Sequence, residues 1–108
     1  MENKSYQVNE KDWKLFRKLL PGWQEAYMEK LIEEYKELLN NDERASEKYW
    51  VLEKKVNKDK YNSGVLARDI RRSRFELLLL QLIHDGVITI DDLCDFSVEL
   101  QERINFIL

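Results

Sequence analysis

Glycine and proline are scarce in this chain, and that scarcity constrains its fold more than any other feature. Only three glycines and one proline interrupt 108 residues, of which 44% are hydrophobic and 36% charged. Both residues are poor helix formers, so their rarity favours long helical segments. The apolar share is too high for a disordered chain. The sequence therefore predicts one all-α domain with a single modest core.

The chain is predicted to divide into a short leading arm and one helical domain. Residues 1–7 are expected to be a loose arm, and 8–108 a single domain. Asn9 suits a helix N-cap, with Asp12 three positions later, close to a capping box. Pro21 lacks a backbone N–H, so the first helix should end or kink there. We expect a compact helical bundle of four long helices plus a short N-terminal helix before Pro21.

The four longer helices are predicted from apolar residues at helical spacing. The first runs to about Leu39, and the second is expected to end near Gly64. The third contains the stretch at 67–86. The last helix should begin with Thr89 as its N-cap and Asp92 as the third residue of a capping box.

The stretch "ARDIRRSRFELLLLQLIHDG" changes character halfway. Its first half contains four arginines. Ile70 in this half and Leu66 just before the stretch begin one apolar face. Its second half is apolar almost all round, which is typical of a helix buried on every side. That half is expected to be the central core helix or part of an interface with a partner or a second copy. Gly86 is suited to the position after the C-cap.

Charge is unevenly distributed along the chain. Residues 44–74 hold ten basic and four acidic residues, whereas 75–108 hold one basic and seven acidic residues. The basic segment either binds an anionic partner such as nucleic acid or packs near the acidic end of its own chain, and we favour the second interpretation. The predicted nucleic-acid-binding residues of the first interpretation are Lys54, Lys55, Lys58, Lys60, Arg68, Arg71, Arg72 and Arg74.

Motifs for catalysis or metal binding are weak. A single His84 and a single Cys94 cannot make a zinc site within one chain, and no third group orients them as a nucleophile pair. The segment "DGVITIDDL" supplies only Asp85 and, weakly, Asp92 of the oxygen ligands that a calcium loop needs. No phosphate-binding glycine motif occurs. We therefore expect no enzyme activity, no cofactor and no metal.

One cysteine excludes an intrachain disulfide, which fits a reducing compartment. The N-terminus has no apolar signal segment, and the longest apolar run is about six residues, against the ~18 of a membrane span. These features predict a cytoplasmic protein with no membrane partner.

Three stretches carry a resemblance: "LPGWQEAYMEKLIEEYKELL", "SEKYWVLEKKVNKDK" and "LIHDGVITIDDLCDFSVELQERI". They resemble a group of short, all-helical, uncharacterised proteins from anaerobic gut-type bacteria that are often found near mobile elements. The similarity covers most of the chain from Trp13 onward and transfers no functional residue. It implies a small accessory factor, either a regulator or an inhibitor aimed at a host or defence protein.

We predict a non-catalytic protein–protein interaction module, with another protein or a second copy in a homodimer as its partner. Tryptophan and tyrosine, the usual anchors of interfaces, are frequent in the sequence. The alternatives are a nucleic-acid-binding accessory protein that uses residues 54–74 and, as a remainder, an enzyme of unknown type. The predicted interface residues are Trp23, Trp50, Phe75, Leu78, Leu79 and Leu82.

Overall fold

The computed structural model describes residues 8–108, and the predicted loose arm lies outside them. The described residues form four α-helices and two short 3₁₀ turns, with no strand among them, which confirms the all-α class. Only two of the helices are long, with 30 and 15 residues, and the other two have ten each. The helices are α1 (Glu10–Leu39), α2 (Ala45–Asp59), α3 (Phe75–His84) and α4 (Val98–Ile107), and the 3₁₀ turns are Arg72–Arg74 and Ile90–Leu93.

Helix α1 continues through Pro21, so the predicted break and the separate short N-terminal helix are wrong. Phe16 and Leu20 before the proline and Trp23 after it pack into the same core. Burial of these large side chains outweighs the one backbone hydrogen bond that proline removes. Tertiary packing therefore holds one helix where local propensity favours two.

The core lies around α3. Trp13 and Phe16 of α1 meet Phe75 at ring-centroid distances of 5.6 and 5.1 Å. Helix α3 buries one face, formed by Phe75, Leu78, Leu79 and Leu82, and α4 covers it with Leu100 and Ile104. Leu77 on the opposite side is 44% exposed, so the expectation that this helix is buried on every side is wrong. The prediction that the leucine-rich segment is the central core helix is confirmed.

Helix α3 begins at Phe75, so the arginine-rich half of the stretch is not part of a long helix. Asp69 has a φ of 56°, a left-handed conformation that interrupts any right-handed helix. Leu66 and Ile70, predicted to lie on an apolar helix face, are exposed in the irregular segment instead. Gly86 has a φ of 78° just after the C-cap of α3, as predicted.

Helix α4 starts later than predicted. The capping box of Thr89 and Asp92 is present, but it closes only a 3₁₀ turn. Ser97 is the N-cap of α4, and its hydroxyl accepts a hydrogen bond from the Leu100 N–H at 3.2 Å. Buried Asp12 accepts from the Ser97 N–H at 2.9 Å and from its hydroxyl at 2.5 Å. This carboxylate ties the start of α1 to the start of α4 and is not the capping-box partner of Asn9.

The C-terminal half of α1, residues 24–39, and helix α2 form an antiparallel pair that we call the arm. Helix α2 packs chiefly along α1 and buries none of its residues fully. The described part of the molecule is elongated, with principal extents of 65 × 23 × 22 Å. None of the helices within residues 8–108 combines the length and apolar character of a membrane-spanning helix.

Candidate protein-binding surface on the helical arm

The base of the arm is held by polar contacts with the end of α3. The Ser63 N–H and hydroxyl donate to the Asp85 carboxylate at 3.1 and 2.7 Å. The Asn62 side chain donates to the Tyr27 hydroxyl at 3.0 Å. Gly64 lies so close to the Tyr27 ring that a Cβ there would overlap it. The segment that follows α2 therefore fixes where the arm leaves the core.

The middle of the arm is held by an ionic network. Lys55 pairs with Glu34 of α1 at 3.2 Å and with Asp59 at 2.9 Å, and the Tyr35 hydroxyl donates to Asp59 at 2.8 Å. Burial and this hydrogen bond raise the pKa of Tyr35 to about 12. Burial opposes ionisation of Asp59, but hydrogen bonds from Lys55 and Tyr35 lower its pKa below the usual 3.8. Among the described arm residues only Leu31 is buried, so polar contacts hold much of this helix pair together.

The tip of the arm exposes two aromatic side chains. Tyr49 and Trp50 keep 62% and 60% of their surfaces exposed and contact each other edge to face at 5.0 Å. A cleft of about 750 Å³ lies at the turn between the two helices, with Leu38, Trp50 and Val51 among its lining residues. The rim carries Arg44 and Glu47, which pair at 3.6 Å, among other polar groups. An open cleft of this size, lined by three apolar side chains among polar ones, can receive a side chain from another molecule.

Trp50 shares the outward face of α2 with two lysines. At 100° per residue it points away from the side on which Lys55 and Asp59 meet α1. Lys54 and Lys58 follow at positions four and eight residues later, on neighbouring parts of the same face. Within the described chain neither lysine has a carboxylate within ion-pairing distance. The face therefore combines a large aromatic ring with two lysines, and its one carboxylate near the tip, Glu47, is paired with Arg44.

The six predicted interface residues differ in how much of their surface is exposed. The four from the leucine-rich helix are covered by their own chain, with at most 3% of any one exposed. Trp23 is partly buried, at 6.3 Å from both Phe16 and Phe96. Only Trp50 offers a large exposed surface. The four covered residues are Phe75, Leu78, Leu79 and Leu82.

Tyr49 and Val51 are additional exposed residues that the sequence reasoning missed at this site. Tyr49, Leu52 and Val56 are spaced as one helical stripe, which is typical of a buried face, so this spacing gave no sign that Tyr49 is exposed. Its neighbour Trp50, which lies off that stripe, was the available sign that α2 exposes aromatic surface.

The arginines of the predicted basic patch meet carboxylates of their own chain. Arg71 and Arg74 approach Asp69 at 2.7 and 3.4 Å, and Arg72 pairs with Glu10 at 3.0 Å. These acidic groups belong to the loop and to α1, whereas the predicted intrachain partner was the acidic end of the chain. Much of the positive charge of this segment is therefore neutralised locally.

The remaining cations of the patch lie on or near α2. Lys60 and Arg68 lie over the Tyr61 ring at 5.5 and 5.8 Å from its centre. Lys55 belongs to the ionic network of the arm. The eight basic residues thus separate into lysines along α2 and arginines in the loop before α3.

His84 and Cys94 are both exposed. Cys94 lines a shallow cleft with Val98 of α4, and His84 is not among the residues of that cleft. Asp85 and Asp92, the two calcium candidates, accept hydrogen bonds from Ser63 and Thr89. Within residues 8–108 no group of three His, Cys, Asp or Glu side chains is placed to hold a metal ion.

No protein-family model matches this sequence, and neither a curated protein nor a solved structure shows significant similarity to it. The resemblance carried by the three sequence stretches therefore stays a prediction.

Proposed function

We propose that this chain is a non-catalytic protein–protein interaction module that binds an acidic partner protein through the outward face of α2. The observation that carries the proposal is Trp50, a tryptophan with 60% of its surface exposed beside an open cleft at the arm tip. Exposed tryptophan leaves a large apolar surface in water, and it is among the residues most often central to interfaces. Contacts with the end of α3 fix the position of the arm, and the arm exposes the Trp50 ring to solvent.

The charges around Trp50 favour an acidic partner. Lys54 and Lys58 lie on the same helix face, and within the described chain neither ammonium group lies within 4 Å of a carboxylate oxygen, although Lys58 is near enough to Asp59 to help lower its pKa. A segment that places an apolar side chain in the cleft can reach these lysines with carboxylates on the neighbouring helical turns. Such a partner uses both the ring and the charge of the face.

Nucleic acid fits this surface less well. Binding to a phosphate backbone gains from many cations that each neutralise a phosphate. Here three of the predicted arginines pair with Asp69 or Glu10, and the chain as a whole has a net charge of −3. With Lys55 also paired, four of the eight predicted cations contact carboxylates of their own chain, so a nucleic acid would meet about half of the predicted charge and an unfavourable overall field.

The proposal is tested with a labelled acidic helical peptide of about 20 residues, long enough to form a helix, with a leucine stripe flanked by glutamates. Fluorescence anisotropy should detect binding to the wild-type chain and not to a scrambled peptide. Trp50→Ala should weaken binding at least tenfold, as expected for an anchor worth about 2 kcal/mol. Exchange of both Lys54 and Lys58 for Glu should weaken it further.

Phe106→Ala is the matched control, because Phe106 is an exposed aromatic residue on α4, outside the arm. It should leave peptide binding unchanged. Equal effects of Phe106→Ala and Trp50→Ala would contradict the proposed site. Salt-sensitive binding to a single-stranded oligonucleotide that outcompetes the peptide would favour nucleic acid in place of a protein partner.

A further inference from the structure

The base of the arm carries a group of unpaired donors, Lys60, Tyr61 and Arg68, which we call the Tyr61 cluster. The Lys60 ammonium and the Arg68 guanidinium lie 5.5 and 5.8 Å from the centre of the Tyr61 ring. Tyr61 is 64% exposed, and both cations are exposed too. Within residues 8–108 neither cation has a carboxylate oxygen within 4 Å, and the Tyr61 hydroxyl has no hydrogen-bond partner. Two cations around one ring repel each other, and an anion bound beside them relieves that repulsion.

The Tyr61 cluster continues the outward face of α2 on which Trp50 lies. Beyond the last residue of α2, the backbone N–H groups of Tyr61 and Asn62 each donate to the carbonyl three residues earlier, so the helical path continues. At 100–120° per residue Tyr61 returns to within about 60° of Trp50. The next residue, Asn62, turns toward α1 and donates to Tyr27. Tyr61 therefore points outward, as Trp50 does.

Four residues of the predicted basic patch have no carboxylate within 4 Å in the described chain, and all four lie along this surface. They are Lys54, Lys58, Lys60 and Arg68. The first two lie on the turns between Trp50 and Tyr61, and the other two surround the Tyr61 ring. Exposed Glu53 lies on the opposite flank of Trp50 from Lys58. The surface is therefore positive between two exposed aromatic side chains.

We propose that the Tyr61 cluster binds the acidic end of the partner segment whose apolar side chain lies beside Trp50. The inference rests on the proposed function and adds the length and direction of the bound segment. Eleven positions separate Trp50 from Tyr61, which is about 17 Å or three helical turns. A partner helix lying along α2 therefore needs an apolar residue and a carboxylate eleven positions apart. That spacing returns both side chains to nearly the same face of the helix.

The helix dipoles favour one chain direction for the partner. The C-terminal end of α2, at Asp59, carries partial negative charge and lies next to the Tyr61 cluster. An antiparallel partner helix brings its N-terminal end, which carries partial positive charge, to this place. Carboxylates are also most favourable in the first turn of a helix. The acidic end is therefore the N-terminal end of the partner segment, and the apolar residue follows eleven positions later.

The test uses nuclear magnetic resonance of the isotope-labelled whole chain, with the Trp50 indole N–H and the Arg68 Nε–H as reporters of the two ends. The probe is a helical peptide of about 20 residues with a glutamate in its first turn and a leucine eleven positions later. It should shift both signals. A matched peptide in which only this glutamate becomes glutamine should shift the Trp50 signal and leave the Arg68 signal nearly unchanged.

Variants separate the cluster from general attraction. Arg68→Ala should weaken binding of the glutamate peptide about three- to tenfold and of the glutamine peptide less than about twofold. Tyr61→Phe should weaken the glutamate peptide about two- to threefold, because it removes only the hydroxyl donor. Arg17→Ala is the matched control, since Arg17 is an exposed arginine of α1 outside the arm, and both affinities should stay within about twofold. The glutamate peptide in reversed sequence should bind about two- to fivefold more weakly.

The two reporters distinguish failure of this inference from failure of the proposed function. A shift of the Trp50 signal alone, or equal losses for both peptides in Arg68→Ala, would overturn the inference and leave the proposed function standing. A shift of the Arg68 signal alone would overturn the proposed function, and no shift of either signal would overturn both. A single-stranded oligonucleotide that shifts the Arg68 signal at lower concentration than the peptide would assign the cluster to phosphate and overturn the inference.

Discussion

Replacement of Asp12 by alanine should destabilise the fold by about 3–5 kcal/mol, although Asp12 lies far from the arm. The residue is 3% exposed, and its carboxylate accepts two hydrogen bonds from Ser97, from the backbone N–H at 2.9 Å and from the hydroxyl at 2.5 Å. Hydrogen bonds to charged groups contribute about 1.5–3 kcal/mol each. Two of them account for the expected loss, which is a large share of the ~5–15 kcal/mol that stabilises a typical domain.

The assay is urea unfolding followed by circular dichroism. Asp12→Asn should cost about half as much, because its amide oxygen still accepts from the Ser97 N–H. Combination of Asp12→Ala with Ser97→Ala should give a coupling energy of about 1–3 kcal/mol in a double-mutant cycle. Asp91→Ala is the control at an exposed carboxylate and should stay within about 0.5 kcal/mol of the wild type. A loss below 1 kcal/mol for Asp12→Ala would refute the assignment of this contact as a tie between α1 and α4.

Two further predictions concern the base and the middle of the arm. Gly64→Ala should destabilise the chain by about 1–3 kcal/mol, because its Cβ would lie 2.7 Å from a Val87 methyl carbon and against the Tyr27 ring. Gly22→Ala, where nothing lies within 4 Å of the added Cβ, should instead raise the urea midpoint, and a similar sign for both variants would argue against this packing. The raised pKa of Tyr35 means that its contribution to stability is complete below the ordinary value of 10.0 and is lost as pH rises toward about 12. Tyr35→Phe should therefore remove the latest step of the tyrosinate absorbance titration, and an unchanged titration would contradict the Tyr35–Asp59 hydrogen bond.

The residues that stabilise the fold and the residues that are exposed for binding lie in different parts of the molecule. The aromatic and leucine side chains around α3 form the core, whereas α2 buries no residue fully. Substitutions on the outward side of α2 should therefore alter binding with little effect on folding. That separation makes the variants at Trp50, Lys54 and Lys58 interpretable as changes in binding.

The sequence by itself determined the features that depend on neighbours in the chain. Scarcity of glycine and proline predicted the all-α class, and the apolar run predicted the central helix. The capping box at Thr89 and the left-handed Gly86 were also predicted, because caps and turns depend on residues within a few positions. The outward face of α2 was predicted only through Trp50.

Tertiary structure alone decided the features that depend on distant residues. Pro21 lies inside a continuous helix because Trp23 and Leu20 share one core, and no local signal carries that information. Asp12 meets a residue 85 positions away, where the local pattern predicted a capping box. One face of the leucine-rich helix is covered by its own chain and Leu77 stays exposed, although the composition predicted burial on every side. The spacing of apolar residues predicts which side of a helix is apolar. Only the tertiary structure shows whether that side is buried against the same chain or left for a partner.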